Sequence, residues 1–486
     1  MPLPKSAEDS TKAIETLPGY KVELMVSEPL VMDPVAFEWD EHGRLWIAEM
    51  ADYPLGLDDN GKPGGRIRIL EDRNNDGRYD LSTVFLDALP YPSGVMPWRD
   101  GALVSAAPDI LFARDTDGDG KADETKVLFT GFGEGNQQHR MNGFEYGLDN
   151  WVYAANGDSG GTISSPGKSL SVNIRGRDFR FHPDTLAFET QAGQTQFGRR
   201  RDDWGNWFGN NNPSIGWHYP FPEHYIRRNP QLASPRNRQG LGNYDRSHII
   251  RSISRAVQRF NVVGTANHIT AANSPAPYRD ELFDKPDGQL LFVSAPAYNV
   301  VRREVLTPDG LSFKSSRPEG ADAQEFLASR DAWFRPITLK TGPDGALWIA
   351  DFYRLVLEHP EWIPNDVERK LELRAGSDRG RLYRVYPENK TPRPIPNLAD
   401  KTMPELVAAL DSPSGWQRDT AQRLLVDRGD ASAAPHLAKL LKNSQRPTTR
   451  LHALCTLEGL KQIKPCLLYT SPSPRDQRGS RMPSSA

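Results

Sequence analysis

Cysteine is almost missing. Cys455 and Cys466 are the only two in 486 residues, which excludes a disulfide scaffold. No C-x-x-C-H occurs, so this chain attaches no c-type haem. No apolar run approaches the roughly 18 residues of a membrane helix. The start, MPLPKSAEDSTKAIETLPGYK, lacks the apolar core of a secretory signal, so the chain reads as cytosolic or as beginning after a lost signal. Charge of one sign is not in excess either. Sixty basic and 63 acidic residues leave a net charge of −3, which implies no attraction to nucleic acid or anionic lipid.

Glycine and proline are plentiful, 40 of each, as suits a fold with many turns. One pattern returns five times: a polar turn with Gly or Asn, then a short alternating apolar strand. It spans Asp40–Met50, Trp98–Pro108, Tyr146–Asn156, Lys285–Pro296 and Gly342–Phe352. The spacing suits propeller blades with long loops, and the widest gap has room for a divergent blade around FGRRRDDWGNWFGNNN. The expected fold is mainly β, a six-bladed β-propeller over residues 17–387. A β-sandwich of repetitive hairpins is the alternative.

A second repeat, EDRNNDGRYDLSTVF and RDTDGDGKADETKVLF, recurs at an offset of 43 residues. Each spells D-x-[DN]-x-D-G-x-x-D, with oxygen side chains at alternate positions about a turn glycine, which suits Ca²⁺. Asp115, Asp117, Asp119 and Asp123 form the better set, and Asp72, Asn74, Asp76 and Asp80 the weaker. Neither has the twelfth-position Glu of an EF-hand. A metal-free Asp/Asn/Gly hairpin turn is the alternative reading, and in either case the loop braces a hairpin.

After a proline-rich linker (388–402) the pattern turns helical over 403–465. Ala421 and Ala453, like Leu425 and Leu457, lie 32 residues apart. Stacked hairpins of HEAT type, cut short, would give this, as would a small helical cap on the propeller. The last stretch, CLLYTSPSPRDQRGSRMPSSA (466–486), breaks the pattern and resembles translated adaptor or vector sequence, so it is expected to be non-native.

Gln137, Gln138, His139 and Arg140 stand directly before an aromatic-rich strand. In a propeller, loops entering the innermost strands build the site, and a neutral imidazole there could accept a hydroxyl proton; a loop histidine bonded to backbone is the plain alternative. Arg199, Arg200 and Arg201, then Arg335, and Asn299 with Arg302, also precede or join candidate inner strands. Converging arginines would favour an anion with planar oxygens, although each alone also suits an inter-blade salt bridge.

RLWIAEMADYP, QFGRRRDDWGNWF, WFRPITLKTGPDGALWIADFYRLVLEHPEW and RGRLYRVYP resemble the propeller of the planctomycete and verrucomicrobial "membrane-bound dehydrogenase" proteins. Those are relatives of soluble quinoprotein glucose/sorbosone dehydrogenases. The resemblance implies oxidation of a sugar or alcohol by hydride transfer to pyrroloquinoline quinone, with His139 as base and Arg199 facing the substrate. It implies Arg335, with Asn299 and Arg302, at the cofactor, and calcium in the protein. It also implies periplasmic export, HEAT-like repeats after the propeller, and electrons passing to a cytochrome-type acceptor, with haem c in a domain beyond this chain. Two departures stand out: Ala297 occupies about the place of an expected quinone-binding lysine, and PYPSGVMPWRDG has no clear counterpart of the substrate glutamine. The alternatives are a non-catalytic glycan- or protein-binding propeller, or a calcium-dependent lactonase-like hydrolase with Glu49, Asn142, Asn156 and Asp351 converging on a metal.

Overall fold

Six antiparallel sheets stand around one axis. The computed structural model describes residues 2–465, apart from 75, 230, 232–236, 243–248, 255–267, 286–287 and 322; the stretch expected to be non-native lies outside the described residues. Each sheet starts with its axial strand: Pro34–Trp39, Gly94–Trp98, Asn142–Tyr146, Arg200–Arg201, Asn273–Pro277 and Pro336–Thr341. Each axial strand packs on the next, and the sixth on the first, so the ring closes. This is a six-bladed β-propeller.

The five repeats fall on the second strand of their blades: Leu45–Glu49, Gly101–Ala106, Val152–Ala155, Gln289–Ala295 and Leu347–Asp351. The divergent stretch supplies both Arg200–Arg201 and Trp207–Gly209, the first two strands of blade four. Turn chemistry explains the repetition. Asp40 accepts the backbone N–H of His42 and Arg44, closing the turn, and also takes Trp46 Nε1–H at 2.9 Å. Asp344 does the same for Ala346 and for Trp348 Nε1, at 3.0 Å each. One carboxylate thus fixes the reversal and satisfies the indole donor that the strand buries.

The ring is closed by distant strands. Tyr20–Ser27 pairs antiparallel with Arg381–Pro387, running from Tyr20↔Pro387 to Ser27↔Arg381, and completes blade six. Ile14–Thr16, just before the expected start at residue 17, adds an edge to blade five against Leu327–Ser329. Aromatic residues fill the seams between blades. Trp39 of blade one meets Trp348 of blade six edge-on, with ring centroids 5.1 Å apart, and Tyr79 OH takes the Trp39 indole N–H at 2.9 Å.

Four helices follow: Met403–Ala409, Gly415–Arg428, Ala434–Asn443 and Pro447–Gly459. Ala421, Leu425, Ala453 and Leu457, at matching places in two hairpins, are all buried in one apolar cluster. The preceding linker lies on the propeller, with Leu398 N–H bonded to Glu41 O and its side chain fully buried. The helices cover the channel end at which the axial strands finish. Gly415 allows the approach: a Cβ there would stand 2.8 Å from Arg279 Cβ, and Gly415 N–H donates to Arg279 O.

Candidate functional site

At the other end, where the axial strands begin, their loops enclose a cavity of about 110 Å³ open to solvent. Val35, Met50, Ile337, Phe352 and Leu357 form its apolar wall. His139 and the amides Gln137, Gln138, Gln196, Asn212 and Asn273 supply its polar groups. Among the described residues that line it, none is charged.

His139 ends a short turn, Gln137–His139, that Asn136 caps by accepting Gln138 N–H at 2.9 Å. The turn is held from behind. Gly157, at φ +75°, passes so close that a Cβ would lie 2.0 Å from Arg140 O, and Ser159 N–H donates to His139 O. It is held in front by blades one and six. Gln138 Nε2 donates to Leu357 O at 2.8 Å and to Tyr53 OH at 3.0 Å, and Asn136 Nδ2 donates to Glu361 at 3.0 Å. His139 Nε2 lies 3.0 Å from Gln196 Nε2. An amide N–H₂ only donates, so Nε2 of the ring accepts and the proton of the neutral imidazole sits on Nδ1. In the neutral ring the Nε2 lone pair thus faces the Gln196 amide beside the cavity.

A second imidazole stands beside this turn. His359 Nε2 contacts Gln137 Oε1 at 2.7 Å, and its Nδ1 accepts Glu361 N–H at 3.2 Å. Burial outweighs the Glu361 carboxylate 3.7 Å away and pushes His359 below its ordinary range, and neighbouring His139 adds to that shift. His359, Gln196 and Tyr53 escaped the sequence reading. The H-P-E-W that follows the strand Leu347–Asp351 was the one available signal.

The arginines expected around this mouth are elsewhere. Arg199, 2% exposed, pairs with Asp178 at 2.6 Å, donates to Ala192 O at 2.6 Å and lies over the Tyr219 ring. Arg200 reaches Glu145 at 3.4 Å, and Arg201 reaches Asp419 at 2.5 Å, both toward the helix-covered end. Arg335 donates to the carbonyls of Pro296, Arg354 and Leu355 at 2.7–2.9 Å, tying the cavity wall together from behind. Arg302 pairs with fully buried Glu304 at 2.5 Å and donates to Ile249 O. Asn299, at φ +59°, donates to Phe334 O and accepts from Ser254 Oγ. The expected convergence of guanidinium groups on His139 is therefore not what the chain adopts. Their donors go to carboxylates and carbonyls brought in by other blades.

The hydrolase arrangement fails similarly. Glu49 is paired with Arg66 and Arg68, and Asn142 bridges Arg140 O, Gln196 O and Gly198 N–H. Asn156 donates to Ile174 O and Arg177 O, and Asp351 accepts Arg335 and Tyr353 N–H. These groups hold the backbone and do not line the cavity.

The acidic loops are the outer hairpins of blades one and two. Asp115, Asp117 and Asp123 bring carboxylate oxygens within 4.8 Å of one another, the one group of three metal-ligating side chains among the described residues. Asp119 instead accepts Lys121 N–H at 2.8 Å. In the other loop Asp72, Asn74, Asp76 and Asp80 accept backbone N–H groups of their own turn.

Among solved structures the chain is similar to the holo form of the pyranose dehydrogenase PQQ domain from Coprinopsis cinerea, at 12% identity and TM-score 0.40, covering 77% of this chain and 97% of that one. It is similar to the apo form of the soluble aldose sugar dehydrogenase from Escherichia coli, at 14% identity and TM-score 0.38, covering 76% and 100%. A luciferin-regenerating enzyme gives 9% identity and TM-score 0.43, covering 77% and 98%. Comparison with curated proteins gives no match. Residues 6–389, which span the whole propeller, match the family described as Domain of unknown function (DUF7133), and the chain belongs to that family.

Proposed function

We propose that the His139 mouth is the substrate site of a sugar or alcohol dehydrogenase. The observation that carries this is the make-up of the cavity: one base-oriented imidazole and five amides against an apolar wall, with no charged lining group among the described residues. Amides donate to and accept from hydroxyls, and the wall suits a C–H face, so the match is to a neutral polyhydroxylated molecule. The cavity seats one carbinol end, and the rest of the ligand projects through the open mouth. The substrate hydroxyl takes the place of the Gln196 amide at His139 Nε2 and gives up its proton there, while the hydride on its carbon leaves for a soluble two-electron acceptor reaching the open mouth, such as the dye of the assay. Gln137 and Gln196 orient the neighbouring hydroxyls.

The sequence resemblance would supply pyrroloquinoline quinone as hydride acceptor, but the side chains present do not fit that tricarboxylate. The lining carries no cation among the described residues, and Arg199, Arg302 and Arg335 are committed to protein partners. A cytochrome-type electron acceptor and periplasmic placement rest on the same resemblance. Calcium is assigned to the Asp115 loop as a brace, away from the chemistry.

The test is dye-linked oxidation of a panel of sugars and alcohols, with and without added quinone, together with calorimetric binding of the same compounds. Turnover that is lost in His139→Ala, while binding persists, supports the assignment. Binding without turnover in the native chain would leave a glycan-binding propeller, and undiminished turnover in His139→Ala would remove the imidazole from the reaction.

A further inference from the structure

A second, larger hollow lies at the opposite end of the molecule. It is a groove of about 760 Å³ between the lower rim of blades four and five and the turns of the helical segment. That volume lies within the range of small-molecule sites, and a seam between two structural units is a common place for one. At its edge stands Trp204, 50% exposed, one of few large apolar side chains so exposed among the described residues. Its backbone is held firmly. The buried Asp202 carboxylate accepts the N–H groups of Trp204 and Asn206 at 2.8 and 2.9 Å and the Asn206 side-chain amide at 2.7 Å.

The rest of the lining is polar. Asp280, Glu281 and Asp411 are offset by Lys285, Arg418 and Arg446, and Asn443, Ser444, Gln445 and Thr448 add amides and hydroxyls. With Asp203, which is paired with Arg418 at 2.6 Å, the groove carries four acidic and three basic groups. Such near balance selects against a strongly charged ligand. Paired carboxylates and guanidinium groups, Asp203 with Arg418 and Glu281 with Arg446, and the amides of Asn443 and Gln445 form a dense field of donors and acceptors. A half-exposed indole beside that field offers a flat apolar face.

From this arrangement we propose that the groove binds a neutral oligosaccharide, one sugar ring lying on Trp204 and its hydroxyls bonding to the side chains of Asn443, Gln445 and Glu281. This site stands apart from the His139 mouth, at the far end of the propeller. It would tether a longer glycan or hold the protein on a polysaccharide, whatever chemistry the mouth performs.

The experiment is calorimetric titration of the full chain with neutral hexasaccharides of glucose, xylose, mannose and galactose. At least one is expected to bind, with Trp204→Ala weakening it about tenfold or more, the loss of one stacked ring. Gln445→Ala should weaken it too, and His139→Ala should leave it unchanged. Trp204 is half exposed, so its replacement leaves the core intact, and an unchanged melting temperature checks this. Failure of all four sugars to bind, or affinity unchanged from the native chain in Trp204→Ala and Gln445→Ala, overturns the proposal. Binding lost only in His139→Ala overturns it as well, since the glycan would then sit at the other mouth.

Discussion

Arg279 and Asp419, 140 residues apart, meet at the foot of the channel in a two-point ion pair of 2.6 and 3.0 Å. Asp419 also takes Arg201 at 2.5 Å, while Arg279 reaches Asp203 at 2.8 Å and Asp203 holds Arg418. Burial pushes the Asp203 and Asp419 carboxyls up, but the surrounding guanidinium groups outweigh it and hold both well below the ordinary range. Removing one partner leaves the others buried and uncompensated. Asp419→Ala is therefore expected to destabilise the protein by roughly 3–5 kcal/mol, the usual cost of breaking a buried pair. Chemical denaturation read by circular dichroism checks it. An unchanged midpoint would mean that the helices dock by apolar contact alone.

The same groups set the response to acid. A carboxyl whose folded pKa is depressed contributes stability that is present above its unfolded value, near 4, and lost as pH falls further. Asp351 works in the opposite sense. Burial pushes it up to about 7, and its Oδ2 has no hydrogen-bond partner. Between about pH 4 and pH 7 its ionisation costs the folded state increasing stability as pH rises. Asp351→Asn should therefore raise the melting temperature at pH 8 more than at pH 5. Equal shifts at the two values would show that the carboxyl titrates normally.

The architecture was legible because its signal is local. An acid, a turn glycine or asparagine and an alternating strand lie within about a dozen residues, and Asp40 with Trp46 shows the whole mechanism inside one repeat. The position of His139 at the axial cavity was legible for a similar reason, since it lies three residues before an axial strand. The fate of the arginines was not. A sequence shows a positive charge but not the carbonyls of Pro296, Arg354 and Leu355 that consume Arg335. Nor does it show that Gln137 meets His359 across 222 residues. Partners drawn from different blades have no common periodicity, so donors that look free in the chain are spent in the fold.

Gly157 offers a sharper test of the mouth than any of its polar groups. Its φ of +75° is strained for any residue with a side chain, and its space is taken by the carbonyls of His139 and Arg140. Gly157→Ala must move the turn that carries His139. It should destabilise the fold by about 1–3 kcal/mol, in line with other strained backbone positions, and lower turnover well beyond that. Gly167→Ala is the control, since a Cβ there meets nothing within 4 Å although φ is +74°. If both variants lose activity equally, backbone strain alone accounts for the effect and the His139 turn needs no close support.

The Asp115 loop makes the last prediction, and its outcome separates a brace from a bare turn. Asp115 already accepts N–H groups from Asp117, Gly118 and Gly120 through its two oxygens, and Asp123 accepts from Thr116. These bonds shape the turn without a metal. They also leave Asp115, Asp117 and Asp123 oxygens close together, and like charges so placed repel unless a cation lies between them. Calcium at a hundredfold excess over its dissociation constant would add about 2.7 kcal/mol to stability, visible as a rise of several degrees in melting temperature. Asp123→Ala should abolish that rise. Because the loop is an outer hairpin of blade two and the His139 mouth lies at the axis, turnover at moderate temperature should not change. A melting curve indifferent to calcium and to chelator would leave the loop a self-sufficient hairpin. Calcium-dependent turnover that survives Asp123→Ala would place the working ion somewhere else in the chain.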